Sequence, residues 1–367
     1  MEIDLYTAEE KNLIWLDSFE FLSYQKKTKI IELFDNKNIR ELWQTKTMQL
    51  STFLSKEEIQ KIANAEEDRL DKVLEWLNGK NIVVLTLCSN NYPIMLKEID
   101  TPPICLYCMG NIQLLDTTTC GVVGTRRPSE YGKVCTKQFV STLAKNGVTI
   151  VSGLASGIDT IAHETTLQEE GSTIAVIAGG FDHIFPASNH QLFKTMTVNN
   201  LVVSESLPNV LPSAYLFPIR NRIIAGLSKA VLISEAGIKS GSLHTKNYAV
   251  NYNREVFALP GRITSPESEG TNQIIKECQA SLCLDAKEIL DYLGVVEEKN
   301  AKKPAIQLDI TEQSILNYIL AEKKTYQEIL DYIKLKPNEL NTVLFNMQMK
   351  GLIEKLAGNS YIALIKL

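Results

Sequence analysis

Apolar residues recur at helical spacing through the first part of the chain, from about Trp15 to Leu77. The segments are LDSFEFL, KTKIIELF, IRELW, SKEEIQKIANA and LDKVLEWL, and β-branched runs are few among them. This pattern predicts a small helical domain over residues 1–80. A short apolar stretch, NIVVLTL, follows and is typical of a buried strand, and the proline-containing segment NNYPIMLKEIDTPPICLYCMGN leads into the next unit.

From Cys120 to about Leu293 the pattern changes to an apolar strand, a glycine-containing turn and a helix, which then repeats. The predicted strands are CGVVG, VTIV (148–151), TIAVIA (173–178), LVVS (201–204), AVLI (230–233) and EVFAL (255–259). Short apolar strands that alternate with helices are typical of a doubly wound, mostly parallel sheet with helices on both faces. Residues 81–294 are therefore predicted to form an α/β domain.

The end of the chain has a third pattern. The segment VEEKNAKKP is charged and poor in apolar residues, which predicts a linker over residues 295–305. Beyond it, ITEQSILNYILAEKK, TYQEILDYIK, KPNELNTVLFNMQMKGLIEKL and SYIAL predict three helices and a strand pair around a Gly358-Asn359 turn. This arrangement over residues 306–367 is that of a winged-helix domain.

Composition indicates the cellular compartment of the protein. No apolar run approaches the ~18 residues of a membrane span, and the acidic start, MEIDLYTAEEKN, is unlike a signal peptide. The seven cysteines are scattered, which favours a reducing compartment, and we expect a cytoplasmic protein that contacts no membrane. Cys105 and Cys108 fall in a predicted strand, where a separation of three places them on opposite faces, so structural cysteines are favoured over a metal site.

Charge argues against a global field that attracts nucleic acid. The formal net charge is −5, and residues 1–120 hold 13 Lys and Arg against 19 Asp and Glu, whereas residues 307–367 hold 7 of each sign. Any site for a polyanion must therefore be a local cluster of cations.

Ligands of an open parallel sheet bind beyond the carboxyl ends of its strands, so the loops that leave those ends are the candidates. In the first, Gly124-Thr-Arg-Arg127, glycine lets backbone N–H groups approach an anion and the next helix adds its N-terminal dipole. In the second, VSGLASGIDTIAH, small residues expose N–H donors in the same way. Asp159 and His163 are four residues apart and share a helix face there. Either Asp159 orients His163 as a general base, or Asp159 is an aspartate near the helix start that the helix dipole and His163 stabilise.

Two further loops add aromatic and cationic residues. Phe181 and Phe185 either stack on nucleic-acid bases or belong to the core. In FPIRNRIIAGLS, Arg220 and Arg222 begin a helix, and in EAGIKSGSLHT small residues begin another. An arginine offers planar contacts to phosphate oxygens. The alternative for Arg220 or Arg222 is an ion pair with Glu205 or Glu235.

The motifs GVVGTRRPSEYG, VSGLASGIDTIAH, FPIRNRIIAGLS, KSGSLHT, VFALPGRI and GTNQII together resemble the DNA-processing protein A (DprA, or Smf) family, from about Asn91 to Leu284. The resemblance implies a Rossmann-like core, with a SAM-like helical front and a winged-helix tail similar to accessory domains of that family. It implies a homodimer without cofactor, metal or catalytic residues, which binds single-stranded DNA and loads the recombinase RecA in natural transformation. The DNA-binding residues it implies are Gly124, Thr125, Arg126, Arg127, Ser152, Gly153, Ser156, Gly157, Arg220, Asn221, Arg222, Lys239, Ser240, Gly241, Ser242 and Thr245.

Two other functions compete with this interpretation. A nucleoside monophosphate phosphoribohydrolase of related fold carries the motif PGGxGTxxE, but Thr245 stands at the glutamate position, and a threonine cannot serve as a carboxylate base. A duplex-DNA regulator would use the winged helix, where PNELNTVLFNMQMKG offers Asn341, Asn346 and Gln348 but only Lys350 as a cation. Both alternatives stay open from the sequence.

Overall fold

A computed structural model describes residues 5–34, 39, 46–65, 67–296, 308–320, 322–356 and 358–364. The chain forms two compact units, Met1–Glu297 and Glu298–Leu367. The predicted boundary at residue 80 falls inside the first unit, and most of the predicted linker, 295–305, lies outside the described residues. The domain limits 1–80, 81–294 and 306–367 therefore stay predictions. No helix in the described ranges is long and apolar enough to cross a membrane.

Five helices form the described part of the front segment. They are α1 (Ala8–Asp17), α2 (Tyr24–Phe34), α3 (Thr47–Leu50), α4 (Lys56–Ala63) and α5 (Arg69–Asn78). Thr7 and Ser55 begin α1 and α4 with capping boxes, in which side chains satisfy backbone N–H groups at the helix start. The apolar residues 13–16 of α1 are buried, and α1 packs against α5 and the first two strands of the sheet. Of the predicted helix IRELW, only Ile39 is described.

The following sheet has nine strands in the described part of the chain, in the order β1-β2-β6-β5-β4-β3-β7-β8-β9. They are β1 (Val83–Thr86), β2 (Cys105–Gly110), β3 (Thr119–Val123), β4 (Thr149–Ser152), β5 (Thr173–Val176), β6 (Leu201–Ser204), β7 (Ala230–Ile233), β8 (Glu255–Ala258) and β9 (Ser281–Leu282). Strand β2 pairs antiparallel with β1 and β6, and all other pairs are parallel. The predicted Rossmann-like α/β fold is confirmed.

Helices cover both faces of this sheet. They are α6 (Ile94–Lys97), α7 (Glu130–Lys145), α8 (Ile158–Gln168), α9 (His190–Asn199), α10 (Leu216–Leu227), α11 (Ser242–Asn251), α12 (Glu269–Lys276) and α13 (Ala286–Leu293). Val122 joins the core under α7, whereas Val123 joins the core under α10, because successive side chains of a strand point to opposite faces. Cys105 and Cys108 likewise lie in different cores, as their spacing predicts.

The order of the strands creates a switch point beside β3. From β3 the chain steps outward through β4, β5 and β6, and then returns to the other side of β3 at β7. The loops that leave β3 and β7 therefore diverge and leave a crevice between them, where open α/β sheets bind their ligands.

The second unit contains the elements predicted for a winged helix. They are α14 (Ile310–Leu320), β10 (Lys324–Thr325), α15 (Tyr326–Ile333), α16 (Pro337–Met349), β11 (Ile353–Leu356) and β12 (Ser360–Ala363). The strands form a sheet in the order β10-β12-β11, and the β11–β12 hairpin turns at Gly358 and Asn359. Strand β10 is too short for the apolar pattern to reveal.

Candidate nucleic-acid interface

A cavity of about 800 Å³ lies at the switch point. Loops and helix starts from five parts of the chain line it, with the residues Val123, Gly124, Thr125, Arg126, Ala155, Asp159, Phe185, Pro212, Ala214, Phe217, Pro218, Arg220, Asn221, Ile224, Gly237, Lys239, Ser240, Gly241, Ser242, His244 and Thr245. Its described lining contains three permanent cations, Arg126, Arg220 and Lys239, and a single carboxyl group, Asp159. The cavity is therefore suited to an anion, although the chain as a whole is acidic.

The floor of the cavity is formed by Arg220, which is only 6% exposed. Its Nη1 donates to the carbonyl oxygen of Gly153 at 2.5 Å and to that of Val176, and its Nε donates to the side chain of Asn221. These bonds connect the carboxyl ends of β4 and β5 to helix α10. A Cβ on Gly153 would lie 2.6 Å from Nη2 of Arg220, so any larger residue there would displace the guanidinium from these bonds.

Asp159 lies beside Arg220 and is fixed by the backbone of its own loop. Its Oδ2 accepts hydrogen bonds from the N–H groups of Gly153 at 3.1 Å and Ala155 at 3.4 Å. Burial raises the pKa of Asp159 to about 6, and the positive charge of Arg220 opposes that shift. Burial also lowers the pKa of Arg220 to about 10, Asp159 opposes this change, and Arg126 contributes to it. The expectation that this loop offers its N–H donors to a ligand is therefore wrong for Gly153.

The Asp159–His163 pair considered from the sequence does not form as a hydrogen-bonded base and orienter. His163 is fully buried, and its Nδ1 is 2.7 Å from the hydroxyl oxygen of Thr173 on β5. Burial, with Arg220 as a second cause, lowers the pKa of His163 to about 3. The imidazole is therefore neutral near pH 7 and does not line the cavity.

The rim of the cavity combines a cation with aromatic rings. Arg126 is exposed, and its guanidinium carbon lies 5.1 Å from the ring centroid of Phe217, which also lies 6.0 Å from the guanidinium carbon of Arg220. Phe185 packs edge-on against Phe217 at 5.6 Å and is 52% exposed. Phe181 is buried in the core, so the stacking considered for it is wrong. Phe217 was missed, although it stands in the motif FPIRNR.

The turn before α11 forms the opposite wall. Ser240 and Ser242 are bonded through their hydroxyl groups at 2.8 Å, and the side-chain amide of Asn221 donates to the carbonyl oxygen of Gly241. The start of α11 lines the cavity, and its first backbone N–H groups, those of Ser242, Leu243 and His244, donate to oxygen atoms of Ser240 and Gly241. The hydroxyl group of Thr245 is buried in this wall and has no hydrogen-bond partner among the described residues. A buried hydroxyl without a partner costs ~1–3 kcal/mol.

Other residues of the predicted set lie outside the cavity lining. Arg222 is buried in an ion pair with Glu205 at 2.5 Å, which is one of the alternatives that the sequence left open. Ser152 is buried and donates from its hydroxyl group to the carbonyl oxygen of Val122. Gly157 has a φ of 83° and lies against the backbone of Thr125 and Arg126, so it fixes the shape of the first loop. Arg127 and Ser156 also lie outside the lining.

Glu235 changes the interpretation of the first loop. Its carboxylate accepts hydrogen bonds from the backbone N–H group and the hydroxyl group of Ser129, the residue that caps helix α7. A carboxylate of the protein therefore already occupies the N-terminus of α7. The expectation that this helix dipole serves an anion at Gly124–Arg127 is wrong, and Glu235 pairs with neither Arg220 nor Arg222.

An open, mostly parallel α/β sheet with a cationic cavity at its switch point is typical of Rossmann-like proteins that bind nucleotides or nucleic acids. A family model described as DNA recombination-mediator protein A matches residues 83–294. The chain belongs to this family, and the predicted membership of the DNA-processing protein A (DprA/Smf) family is confirmed.

Relatives in several bacteria support the assignment. The DNA processing protein DprA of Bacillus subtilis is 39% identical over 226 residues, which is 61% of this chain and 76% of the relative. Protein Smf of a Synechocystis species is 34% identical over 325 residues, or 78% of this chain and 82% of the relative.

Solved structures of related proteins have the same fold. The X-ray structure of DNA processing protein A from Streptococcus pneumoniae aligns with a TM-score of 0.62 and 32% identity, and covers 77% of this chain and 97% of that one. The Helicobacter pylori protein, whose structure concerns its single-stranded DNA binding mode, aligns with a TM-score of 0.53 and 36% identity over 58% of this chain and 95% of that one.

Proposed function

We propose that this protein is a non-enzymatic recombination mediator that binds single-stranded DNA in the cavity at the switch point. The observation that supports this most strongly is the rim, where the exposed guanidinium of Arg126 stacks on Phe217 and Phe185 lies beside it. Arginine contacts phosphate oxygens without regard to sequence, and exposed aromatic rings stack on unpaired bases. A single strand offers both groups, whereas a duplex buries its bases.

The phosphate group in this proposal lies against the start of α11. The dipole of α11 favours negative charge at this helix start, where the backbone N–H groups of Ser242, Leu243 and His244 donate within the turn. The hydroxyl group of Thr245 supplies a donor that the protein leaves unused. Arg126 and Lys239, both exposed, complete the positive surroundings of the phosphate.

The cavity does not support the phosphoribohydrolase alternative. Thr245 stands where that enzyme class has its glutamate, and Asp159, the carboxyl group of the described lining, is held by two backbone N–H groups. A general base needs a lone pair within reach of the substrate, and Oδ2 of Asp159 is committed to its own loop. We expect no release of free base from AMP by the purified protein, and such a release would favour the enzyme.

The second unit gives equally little support to a duplex-DNA regulator. None of the exposed positions of its candidate recognition helix α16 is basic: they are Pro337, Asn338, Glu339, Asn341, Thr342, Phe345, Asn346 and Met349. Major-groove readers surround their base contacts with cations that bind phosphate. We therefore propose that this unit binds protein partners and supports a homodimer. The mediator would deliver its strand to a RecA-type recombinase in the cytoplasm.

A competition assay tests the proposed ligand. Labelled single-stranded DNA is bound and then challenged with unlabelled single strand, duplex and mononucleotide over a range of salt concentrations. We expect single strands to compete best, and log K to fall linearly with log salt because phosphate contacts release counterions. Equal competition by duplex DNA would contradict the proposal.

The delivery step needs a separate assay. The protein is added to single-stranded DNA coated with a single-strand binding protein, and assembly of a RecA-type recombinase is followed in time. We expect faster assembly with the wild-type protein than with an Arg126→Ala variant. Light scattering of the free protein measures the proposed dimer.

A further inference from the structure

A second cleft, of about 580 Å³, lies where the front helices meet the loop after β6. It is lined by Ser18, Glu20, Lys61, Asn64, Ala65, Arg69, Lys72, Val73, Trp76, Leu207 and Asn209. Lys61 lies on α4, four others lie on α5, and the last two come from the loop that follows β6. The cleft is separate from the cavity at the switch point, with which it shares no lining residue.

The charge of this cleft is opposite to that of the segment that builds it. Among the described residues that line it, Lys61, Arg69 and Lys72 stand against one acid, Glu20, although residues 1–120 carry 19 acidic against 13 basic residues. Lys61 and Lys72 are paired with Glu57 and Asp68, one turn away on their own helices and well exposed. Such exposed i,i+4 pairs contribute only ~0.3–0.5 kcal/mol, so an incoming phosphate can replace the carboxylates.

Aromatic rings alternate with these cations. Trp76 lines the cleft, with the Nζ of Lys80 6.0 Å from its ring centroid, and the Nζ of Lys61 lies 5.5 Å from that of Phe21, a partly exposed ring. Arg69 is held over Phe19 by hydrogen bonds to Ser18. Phe19 is buried, but Trp76 and Phe21 are partly exposed beside these cations, an arrangement typical of surfaces that bind single-stranded nucleic acid.

One loop connects the two sites. Leu207 and Asn209 line the second cleft, whereas Pro212 and Ala214 line the cavity at the switch point. Asn209 and Pro212 are three residues apart, which is at most about 11 Å of extended chain. The linings of the two sites therefore come within about 11 Å of each other along this loop.

We propose that the second cleft is an additional binding site for the same DNA single strand, which would run from the switch-point cavity along residues 207–214 and contact Lys61, Lys72 and Trp76. This inference rests on the proposed function, because the strand must first occupy the cavity. It predicts that affinity depends on strand length. Short strands fill the cavity alone, and longer ones gain the contacts of the cleft.

The test compares Lys61→Glu and Lys72→Glu with Lys56→Glu, a matched control on α4 that is exposed and lies outside the cleft lining. Binding is measured with oligonucleotides of ~6 and ~25 nucleotides, since single-strand sites span ~4–16 nucleotides per module. We expect each cleft variant to weaken binding of the long strand about 5–10-fold, with a salt slope smaller by about one, and to leave the short strand within two-fold. The control should stay within two-fold for both strands.

Tryptophan fluorescence supplies a second readout. The long strand should quench the emission more than the short one, and Trp76→Phe should abolish the difference. Unchanged long-strand affinity in both cleft variants, while the wild type binds both strands, would overturn the second site and leave the proposed function intact. Failure of the wild type to bind either strand would overturn the proposed function and this inference with it.

Discussion

The floor and the rim of the switch-point cavity each contain an arginine, but the two side chains have different environments. Arg220, on the floor, is buried and donates to two backbone carbonyl oxygens, whereas Arg126, on the rim, is exposed and stacks on Phe217. The floor guanidinium is thus committed to holding strands β4 and β5, and the rim guanidinium is available to a ligand. Burial, and not residue type, separates a positioning arginine from a binding arginine.

The largest change in stability is expected for substitution of Arg220, on the floor of the cavity. Arg220→Met keeps most of the side-chain length but leaves the carbonyl oxygens of Gly153 and Val176 without their donor and Asp159 without its neighbouring positive charge. We expect a loss of ~3–5 kcal/mol in the free energy of unfolding, measured by urea denaturation, because one partner of a buried charge cluster is removed. Arg220→Lys should recover part of the loss. Unchanged stability together with lost DNA affinity would make Arg220 a ligand contact and remove the distinction from Arg126.

The second prediction concerns how the free energy of unfolding depends on pH through two buried groups near Arg220, Asp159 and His163. The pKa of Asp159 is raised from 3.8 to about 6, so between these pH values the folded chain holds a proton that the unfolded chain has lost, and stability falls as pH rises. The pKa of His163 is lowered from 6.5 to about 3, so in that range the unfolded chain holds the extra proton, and stability rises with pH. The two slopes oppose each other from about pH 4 to about pH 6.

When either Asp159 or His163 is replaced, the pH dependence of the free energy of unfolding should show the contribution of the other group alone. In Asp159→Asn only the contribution of His163 remains, and the free energy of unfolding should increase from pH 4 to pH 6 by ~2 kcal/mol more than in the wild type. His163→Gln should change the slope in the other direction. Urea denaturation at half-unit pH intervals measures both. Parallel wild-type and variant profiles would show that these groups are not buried in the stated protonation states.

The sequence predicts the sheet well, because buried parallel strands are continuous apolar runs. LVVS and AVLI coincide with β6 and β7 to the residue. Strand β9 escapes the pattern because it has only two residues, both exposed, and is recognised only by its pairing with β8.

The sequence also identifies the loops of the cavity, but not the role of each side chain in them. The bond from Arg220 to Gly153 spans 67 positions of the chain, and Glu235 reaches Ser129 across 106. No local spacing encodes such contacts, so the exposed Arg126, the buried Arg220 and the paired Arg222 look alike before folding. The stacking of Phe217 on Arg126 depends on the same long-range assembly.

On the rim, Arg126→Ala should weaken binding of single-stranded DNA about ten-fold, or ~1.4 kcal/mol, irrespective of base sequence. The side chain is exposed, so the free energy of unfolding should change by less than ~0.5 kcal/mol. Fluorescence anisotropy on mixed-sequence oligonucleotides and urea denaturation measure the two quantities. A stability loss comparable to that of Arg220→Met would contradict the assignment of Arg126 to binding.

The smallest effect is expected one residue further along the chain, and it makes the comparison sharper. Arg127 is exposed like Arg126 and carries the same charge, but it does not line the cavity, and its backbone N–H group donates to the hydroxyl of Thr125. Arg127→Ala should therefore reduce single-strand affinity less than two-fold at ~150 mM salt, where the Debye length of about 8 Å screens charges outside the site. The same anisotropy titration at lower salt should reveal a modest loss, because screening is then weaker. If Arg127→Ala and Arg126→Ala weaken binding equally at ~150 mM salt, the rim acts as a diffuse positive surface, and the stacking of Arg126 on Phe217 has no special role in holding the strand.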